Sequence, residues 1–106
     1  MRWRVGLIDS CGAFPQAVAS AHFIDGDDGV QRIAATADGT GHGTRIAELL
    51  TRERDQAELL LAQVFADSGI ASAAAVAAAI DWCVTEGSNL LHLSLGLSAD
   101  RRILAD

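Results

Sequence analysis

Residues 4–9 read RVGLID, a run of apolar residues that ends in a carboxylate. Parallel strands buried on both faces are near-continuous apolar runs of this kind, because helices cover them on either side. Residues 59–65 and residues 90–95 have the same character. The three runs therefore predict a parallel sheet at the centre of the molecule.

The segments between these runs predict the helices that a parallel sheet requires. Residues 42–50 carry apolar side chains at positions 46, 47, 49 and 50, a spacing that suits one helix face. Residues 72–86 are rich in alanine, and Gly87 is placed to end this second helix in a left-handed conformation. Small side chains would let the second helix lie close to the sheet, and we expect that role for Ala73, Ala74, Ala77 and Ala78.

The remaining segments predict a hairpin and a connection. Residues 22–25 and 30–34 flank the sequence GDDG, which indicates two strands around a tight turn. Residues 13–20, with Pro15 near their start, predict a short helix or an irregular connection. The order of elements predicts one domain over residues 1–106, a three-layer α/β fold with a parallel sheet and right-handed crossover helices.

The composition excludes several classes of function. The chain of 106 residues has a formal charge of −6, and its eight Arg residues form no extended basic cluster, which argues against nucleic-acid binding. No apolar run approaches the roughly 20 residues that a membrane span needs. Cys11 and Cys83 fit no metal or redox spacing, so we expect neither a metal nor a cofactor. Free thiols and the lack of a signal-peptide pattern predict a cytoplasmic protein.

Three polar segments fall where the ends of the strands should meet. Ligands of open parallel sheets bind outside the carboxyl ends of the strands. Asp9 ends the first strand, His42 lies between two glycines at the start of a helix, and residues 94–96 close the third strand. The pattern predicts that these groups converge on one edge of the sheet.

The same segments resemble the subtilisin-like (subtilase) serine peptidases. Residues 5–10, VGLIDS, resemble the family's catalytic Asp segment, and residues 38–47, DGTGHGTRIA, resemble its catalytic His segment. Residues 93–96, LSLG, are similar to the family's substrate-binding strand. The resemblance spans residues 4–97, with the three motifs in the family's order.

The resemblance implies a serine endopeptidase with a Ser-His-Asp triad. Asp9 would orient His42, which would take the proton from a serine hydroxyl and return it to the leaving amine. Leu93, Ser94, Leu95 and Gly96 would bind the peptide or protein substrate. The family's Gly-Thr-Ser segment and its oxyanion Asn do not occur in the 106 residues. The chain would thus be the amino-terminal part of a peptidase domain, inactive alone, and a carboxy-terminal fragment or second chain would supply the Ser.

Two positions depart from the family pattern, and other interpretations stay open. Cys11 stands where the family usually has Gly, and His92 where it often has Asn. The main alternative is a non-catalytic module that binds an extended peptide along residues 93–96. A nucleotide-binding domain is disfavoured, since no GxGxxG motif follows the first strand. The acidic hairpin tip at residues 25–28 lacks the spacing of a calcium loop and is expected to be solvated.

Overall fold

The central sheet of the computed structural model has five strands in the order β3-β2-β4-β1-β5. The structure describes residues 3–12, 14–26, 28–53, 57–64 and 71–93. The strands are β1 (Arg4–Asp9), β2 (Ala17–Gly26), β3 (Gly29–Ile33), β4 (Glu58–Gln63) and β5 (Leu90–Leu93), and the helices are α1 (His42–Glu53) and α2 (Ala73–Thr85). Strands β2, β4, β1 and β5 run parallel to one another, and the edge strand β3 pairs antiparallel with β2. The predicted α/β class and the hairpin are confirmed.

The two helices pack on opposite faces of the sheet. Val5 and Leu7 of β1 lie in the apolar cluster with Ala47 of α1, whereas Ile8 lies in the cluster with Val76 of α2. Neighbouring residues of a strand point to opposite faces, so this division places one helix on each side. The predicted three-layer arrangement is therefore present in the described residues.

The prediction of a short helix or an irregular connection was wrong for residues 17–20, whereas residues 14–16 are irregular. Residues 17–20 form the first part of β2, where Ala17 pairs with Leu59 and Ser20 with Leu61, with an irregularity between Ala17 and Ala19. This pairing satisfies the backbone groups along the second edge of β4, which is buried from Leu59 onward and would otherwise leave them without partners. Backbone hydrogen bonding to β4 therefore decides the conformation of these residues, whose own sequence preference is weak.

Two details of helix packing also differ from the expectations. Leu49 of α1 is 49% exposed, although its spacing suggested the buried face. In α2 the buried residues are Ala75, Val76, Ala79 and Cys83, whereas Ala74 and Ala77 are exposed. A nearly all-apolar helix has no polar stripe that marks its outer face, so the sequence does not fix its rotation.

The ends of α2 follow the sequence signals. The Ser72 side chain accepts a hydrogen bond from the Ala75 N–H at 3.0 Å, which caps the start of the helix. Gly87 has φ +90° and directly follows Glu86, the C-cap of the helix, as its position predicted. Gly6 explains the close approach of this helix to β1, because a Cβ there would lie 2.7 Å from the Cys83 sulfur.

Candidate functional site

Asp9 lies at the carboxyl end of β1 and is fully buried. Its Oδ1 accepts a hydrogen bond of 2.7 Å from the backbone N–H of Ser10. A buried carboxylate is stable only where hydrogen bonds and opposite charge replace its lost hydration. The position and burial of Asp9 therefore call for a donor side chain nearby.

His42 supplies such a donor from the first residue of α1. Its Nδ1 lies 3.0 Å from Asp9 Oδ2 and 3.2 Å from Asp9 Oδ1, so the expected contact between the two side chains is present. The His42 side chain is 53% exposed, and no described residue hydrogen bonds to its Nε2. With the Nδ1 proton directed at the carboxylate, Nε2 is an accessible acceptor on the opposite side of the ring.

Gly43 lets the start of α1 come this close to the end of β1. A Cβ at Gly43 would lie 2.5 Å from the Cys11 nitrogen and 3.1 Å from the Ser10 nitrogen. Both atoms belong to the backbone, which cannot yield as a flexible side chain does. The absence of a side chain at Gly43 is thus a condition for the contact between His42 and Asp9.

Ser10 joins the same two elements by hydrogen bonds. Its Oγ accepts the Gly43 N–H at 3.0 Å and the Thr40 hydroxyl at 2.8 Å. The first N–H groups of a helix have no partner within the helix, so an oxygen from another segment can cap them. Here the residue after Asp9 caps the helix that begins with His42.

Asp38 organises the turn that leads into α1. Its Oδ1 accepts the Thr40 N–H at 3.1 Å, the Thr40 hydroxyl at 3.1 Å and the Gly41 N–H at 2.8 Å. Its Oδ2 accepts the N–H and the hydroxyl of Thr44 at 2.9 and 2.7 Å. Burial acts to raise the pKa of the Asp38 carboxyl, but hydrogen bonds from Thr44, Ser10 and Gly41 outweigh burial and hold that pKa well below its usual range.

Gln63 holds the loop before this turn against the end of β1. Its buried Nε2 donates to the carbonyl oxygens of Ser10 and Thr36 at 2.8 and 3.0 Å. Its Oε1 accepts the Thr36 N–H at 2.8 Å. One amide at the end of β4 therefore connects the Asp9 segment with the segment that carries Asp38.

The remaining predicted site residues lie partly outside the described residues. Leu93 is the last residue of β5, is 40% exposed and pairs with Ile8, the neighbour of Asp9. Ser94, Leu95 and Gly96 fall outside the described residues. The predicted substrate strand thus begins beside β1 at the level of the Asp9–His42 pair, and its role stays a prediction.

The two thiols are buried and poorly suited to act as nucleophiles. Burial, followed by the negative charge of Glu86, raises the pKa of Cys83 to about 12. The pKa of Cys11 is also raised, chiefly by burial, although a hydrogen bond from Thr44 opposes this. Burial has the opposite effect on a histidine, since it disfavours the protonated ring, and it lowers the pKa of His22 on β2, away from the Asp9–His42 pair. Thiolates are the reactive form of cysteine, so the raised pKa values argue against a nucleophilic role for either thiol.

Comparison with known proteins gives a partial relationship. The chain is 44% identical over 61 residues to the subtilisin-like protease het-Q2 of Podospora anserina, and the match covers 53% of this chain. It spans only 17% of that protein. No protein-family model matches the chain. No solved structure matches it. Among the described residues, no helix is long and apolar enough to cross a membrane.

Sequence reasoning did not assign the supporting residues. Asp38 carried a usable signal, since an Asp shortly before a helix is typical of capping residues. Gln63 carried none, because a polar residue at the end of an apolar strand is ordinary. Its five-atom side chain gains its role only through a loop that lies 27 residues earlier in the chain.

Proposed function

We propose that this chain supplies the Asp and His of a subtilisin-type serine endopeptidase, as the amino-terminal part of its catalytic domain. Asp9 orients His42, and His42 Nε2 accepts the proton of a serine hydroxyl that a carboxy-terminal segment or second chain supplies. The observation that carries the proposal is the 3.0 Å contact between His42 Nδ1 and the fully buried Asp9 carboxylate. The partial relationship to a subtilisin-like protease supports the same interpretation.

The burial of Asp9 and the exposure of His42 fit their different roles in such a triad, in which the carboxylate orients the imidazole and the imidazole transfers the proton. The carboxylate is enclosed, whereas the imidazole is half exposed with its second nitrogen accessible. A nucleophile must approach from the side of the ring opposite the carboxylate, and that side is open among the described residues. Ser10 is not this nucleophile, since its hydroxyl oxygen is buried on the Asp9 side and accepts two hydrogen bonds. The proposal therefore requires a serine from elsewhere, and the substrates are peptides or proteins.

A chimera tests the proposal. The chain is joined to the carboxy-terminal region of the Podospora protease, and hydrolysis of a chromogenic peptide and labelling by a serine-directed phosphonate are measured. We expect both signals in the chimera and neither in the 106-residue chain alone. In subtilisin, loss of the triad Asp or His lowers turnover by about 10⁴-fold and 10⁶-fold, so Asp9→Asn and His42→Ala should have effects of that order.

Matched controls separate a lost site from a lost fold. Asp81 is exposed on α2, so Asp81→Asn makes the same charge change away from the pair and should leave activity intact. Phosphonate labelling of the isolated chain would contradict the need for an external serine. A folded chimera that is inactive with Asp9 and His42 intact would contradict the peptidase function itself.

The non-catalytic peptide-binding module remains the second candidate. It is favoured by the position of β5 at one end of the strand order, where the described residues leave its outer backbone edge unpaired. Extended peptides add to such edges by main-chain hydrogen bonds. If the chain is only a binder, peptide affinity of the chimera will be unchanged by His42→Ala and no hydrolysis will occur.

A further inference from the structure

The segment before His42 has little stiffness of its own. Residues 39–41 read GTG, and Gly41 has φ +77°, in the left-handed region that few other residues adopt. Glycine samples more backbone conformations than any other residue, so this segment does not by itself hold one direction for the chain. The orientation of the His42 side chain depends on that direction, because α1 begins at His42.

The Asp38 carboxylate fixes this segment at both of its ends. One oxygen binds the N–H groups of Thr40 and Gly41 before the helix, and the other binds Thr44 inside its first turn. The Thr40 hydroxyl, whose one proton is within reach of both Asp38 Oδ1 and Ser10 Oγ, links this carboxylate to the residue next to Asp9. Hydrogen bonds to a carboxylate are about twice as strong as those between neutral groups. A continuous set of bonds therefore runs from Asp38 to the backbone that carries both members of the pair.

We propose that Asp38 is a positioning residue, which holds the His42 imidazole against Asp9 by fixing the Gly-Thr-Gly segment and the first turn of α1. The inference rests on the proposed function of the Asp9–His42 pair and adds a second carboxylate, that of Asp38, to the site. Asp38 acts through the backbone and takes no part in proton transfer. If Asp38 were a helix cap that only stabilised the fold, its removal would lower the unfolding free energy but leave the pair intact in every folded molecule.

The test observes the hydrogen bond of the pair directly. In the 106-residue chain labelled with ¹⁵N-histidine, the His42 Nδ1 proton gives a downfield resonance whose exchange with water is measured by NMR. We expect Asp38→Asn to remove this resonance, or to raise its exchange rate about tenfold or more, in a chain that is still folded. Asp81→Asn, which makes the same charge change on the exposed face of α2, should leave the resonance unchanged.

A second pair of variants covers a failure of Asp38→Asn to fold. Thr44→Val removes the 2.7 Å hydroxyl bond to Asp38 with little change in shape, and Thr44→Ser keeps the hydroxyl. Faster exchange in the Val variant and restoration in the Ser variant would support the inference. Unchanged exchange in the folded Asp38 and Thr44 variants would overturn it.

The outcomes also separate this inference from the proposed function. Unchanged exchange in the Asp38 variants, together with an active chimera, would overturn the positioning role alone. A wild-type chain without the resonance, or one whose resonance survives Asp9→Asn, has no pair to be positioned and would overturn the inference. An inactive chimera whose resonance depends on Asp9 and Asp38 would instead overturn the peptidase function and support the positioning role.

Discussion

The Ser10 hydroxyl oxygen accepts the backbone N–H of Gly43 at 3.0 Å, within a buried contact between the end of β1 and the start of α1. Ser10 directly follows Asp9, and Gly43 directly follows His42. The contact between the two ionisable side chains is thus repeated one residue later by a bond between a side chain and the backbone. The site depends on the docking of two element ends, and the side-chain pair is one consequence of that docking.

Replacement of Ser10 by Ala should destabilise the chain and weaken the docking. The variant leaves the buried Gly43 N–H without its acceptor, whereas the Thr40 hydroxyl keeps Asp38 Oδ1, and an unsatisfied buried group costs about 1–3 kcal/mol. Urea unfolding measures the loss. Ser20→Ala is the matched control, because Ser20 is exposed on β2 and its replacement should change the unfolding free energy by less than about 0.5 kcal/mol. Equal stability of the two variants would refute the assigned role of Ser10.

Gly43→Ala should destabilise, although alanine is the better helix former. Propensity alone favours Ala over Gly within a helix by about 1 kcal/mol. The new Cβ would, however, lie 2.5 Å from the backbone of Cys11, and α1 must move away from β1 to accept it. We expect a net loss of about 1–3 kcal/mol and loss of the His42–Asp9 contact.

Gly26→Ala provides the control for this change. A Cβ at Gly26 would have its nearest neighbour at 3.5 Å, an ordinary distance, so thermal unfolding of this variant should resemble that of the unchanged chain. Helix propensity alone predicts that Gly43→Ala stabilises the chain. If that result is found, the close approach of α1 to β1 is not required for stability.

Much of the architecture could be predicted because its signals are local. β1 is a continuous apolar run, α2 lies within residues 72–86, and Gly87 follows its end, and all three features lie where the sequence indicated. The Asp9–His42 contact was also foreseeable, since both residues lie at element ends that a parallel sheet brings to one edge. Such features need no knowledge of distant residues.

The features that the sequence did not reveal are non-local. Residues 17–20 form a strand because β4 lies beside them, and only Val18 among these four residues favours a strand on its own. Leu49 is exposed, because the helix it belongs to turns a narrower apolar face to the sheet than its four apolar residues suggested. The role of Gln63 likewise exists only after three separate segments have come together. These are tertiary effects that a single pattern does not encode.

Gln63→Leu should loosen the loop that precedes the site. The substitution keeps a buried side chain of similar size but leaves the Ser10 carbonyl and the Thr36 N–H without this partner. We expect a loss of about 2–4 kcal/mol in unfolding free energy, and faster amide hydrogen exchange at Thr36. Gln31 is exposed on β3, so Gln31→Leu is the matched control and should be nearly neutral. An unfolding free energy that is unchanged in Gln63→Leu would contradict the conclusion that Gln63 holds this loop against the site.

The depressed pKa of Asp38 predicts how its contribution to stability varies with pH. Because the folded-state pKa lies below the unfolded value of about 3.9, the unfolded chain binds more protons between the two values. Stability from Asp38 is therefore fully present above about pH 5 and is lost as the pH falls from about 4 towards the folded pKa. Unfolding free energies of the unchanged chain and of Asp38→Asn should differ by a constant amount at neutral pH, and the difference should shrink in acid.

Subtracting the pH dependence of the unfolding free energy of Asp38→Asn from that of the unchanged chain isolates the contribution of the Asp38 carboxylate, because the other acidic groups occur in both chains. The exposed Asp81 gives the comparison, and the corresponding difference for Asp81→Asn should be small at every pH. A difference for Asp38→Asn that stays flat down to about pH 2 would mean that the hydrogen bonds from Thr44 and Gly41 do not favour the ionised carboxylate. The turn before His42 would then be held by the neutral side chain as well as by the charged one, and charge would have no part in positioning the imidazole.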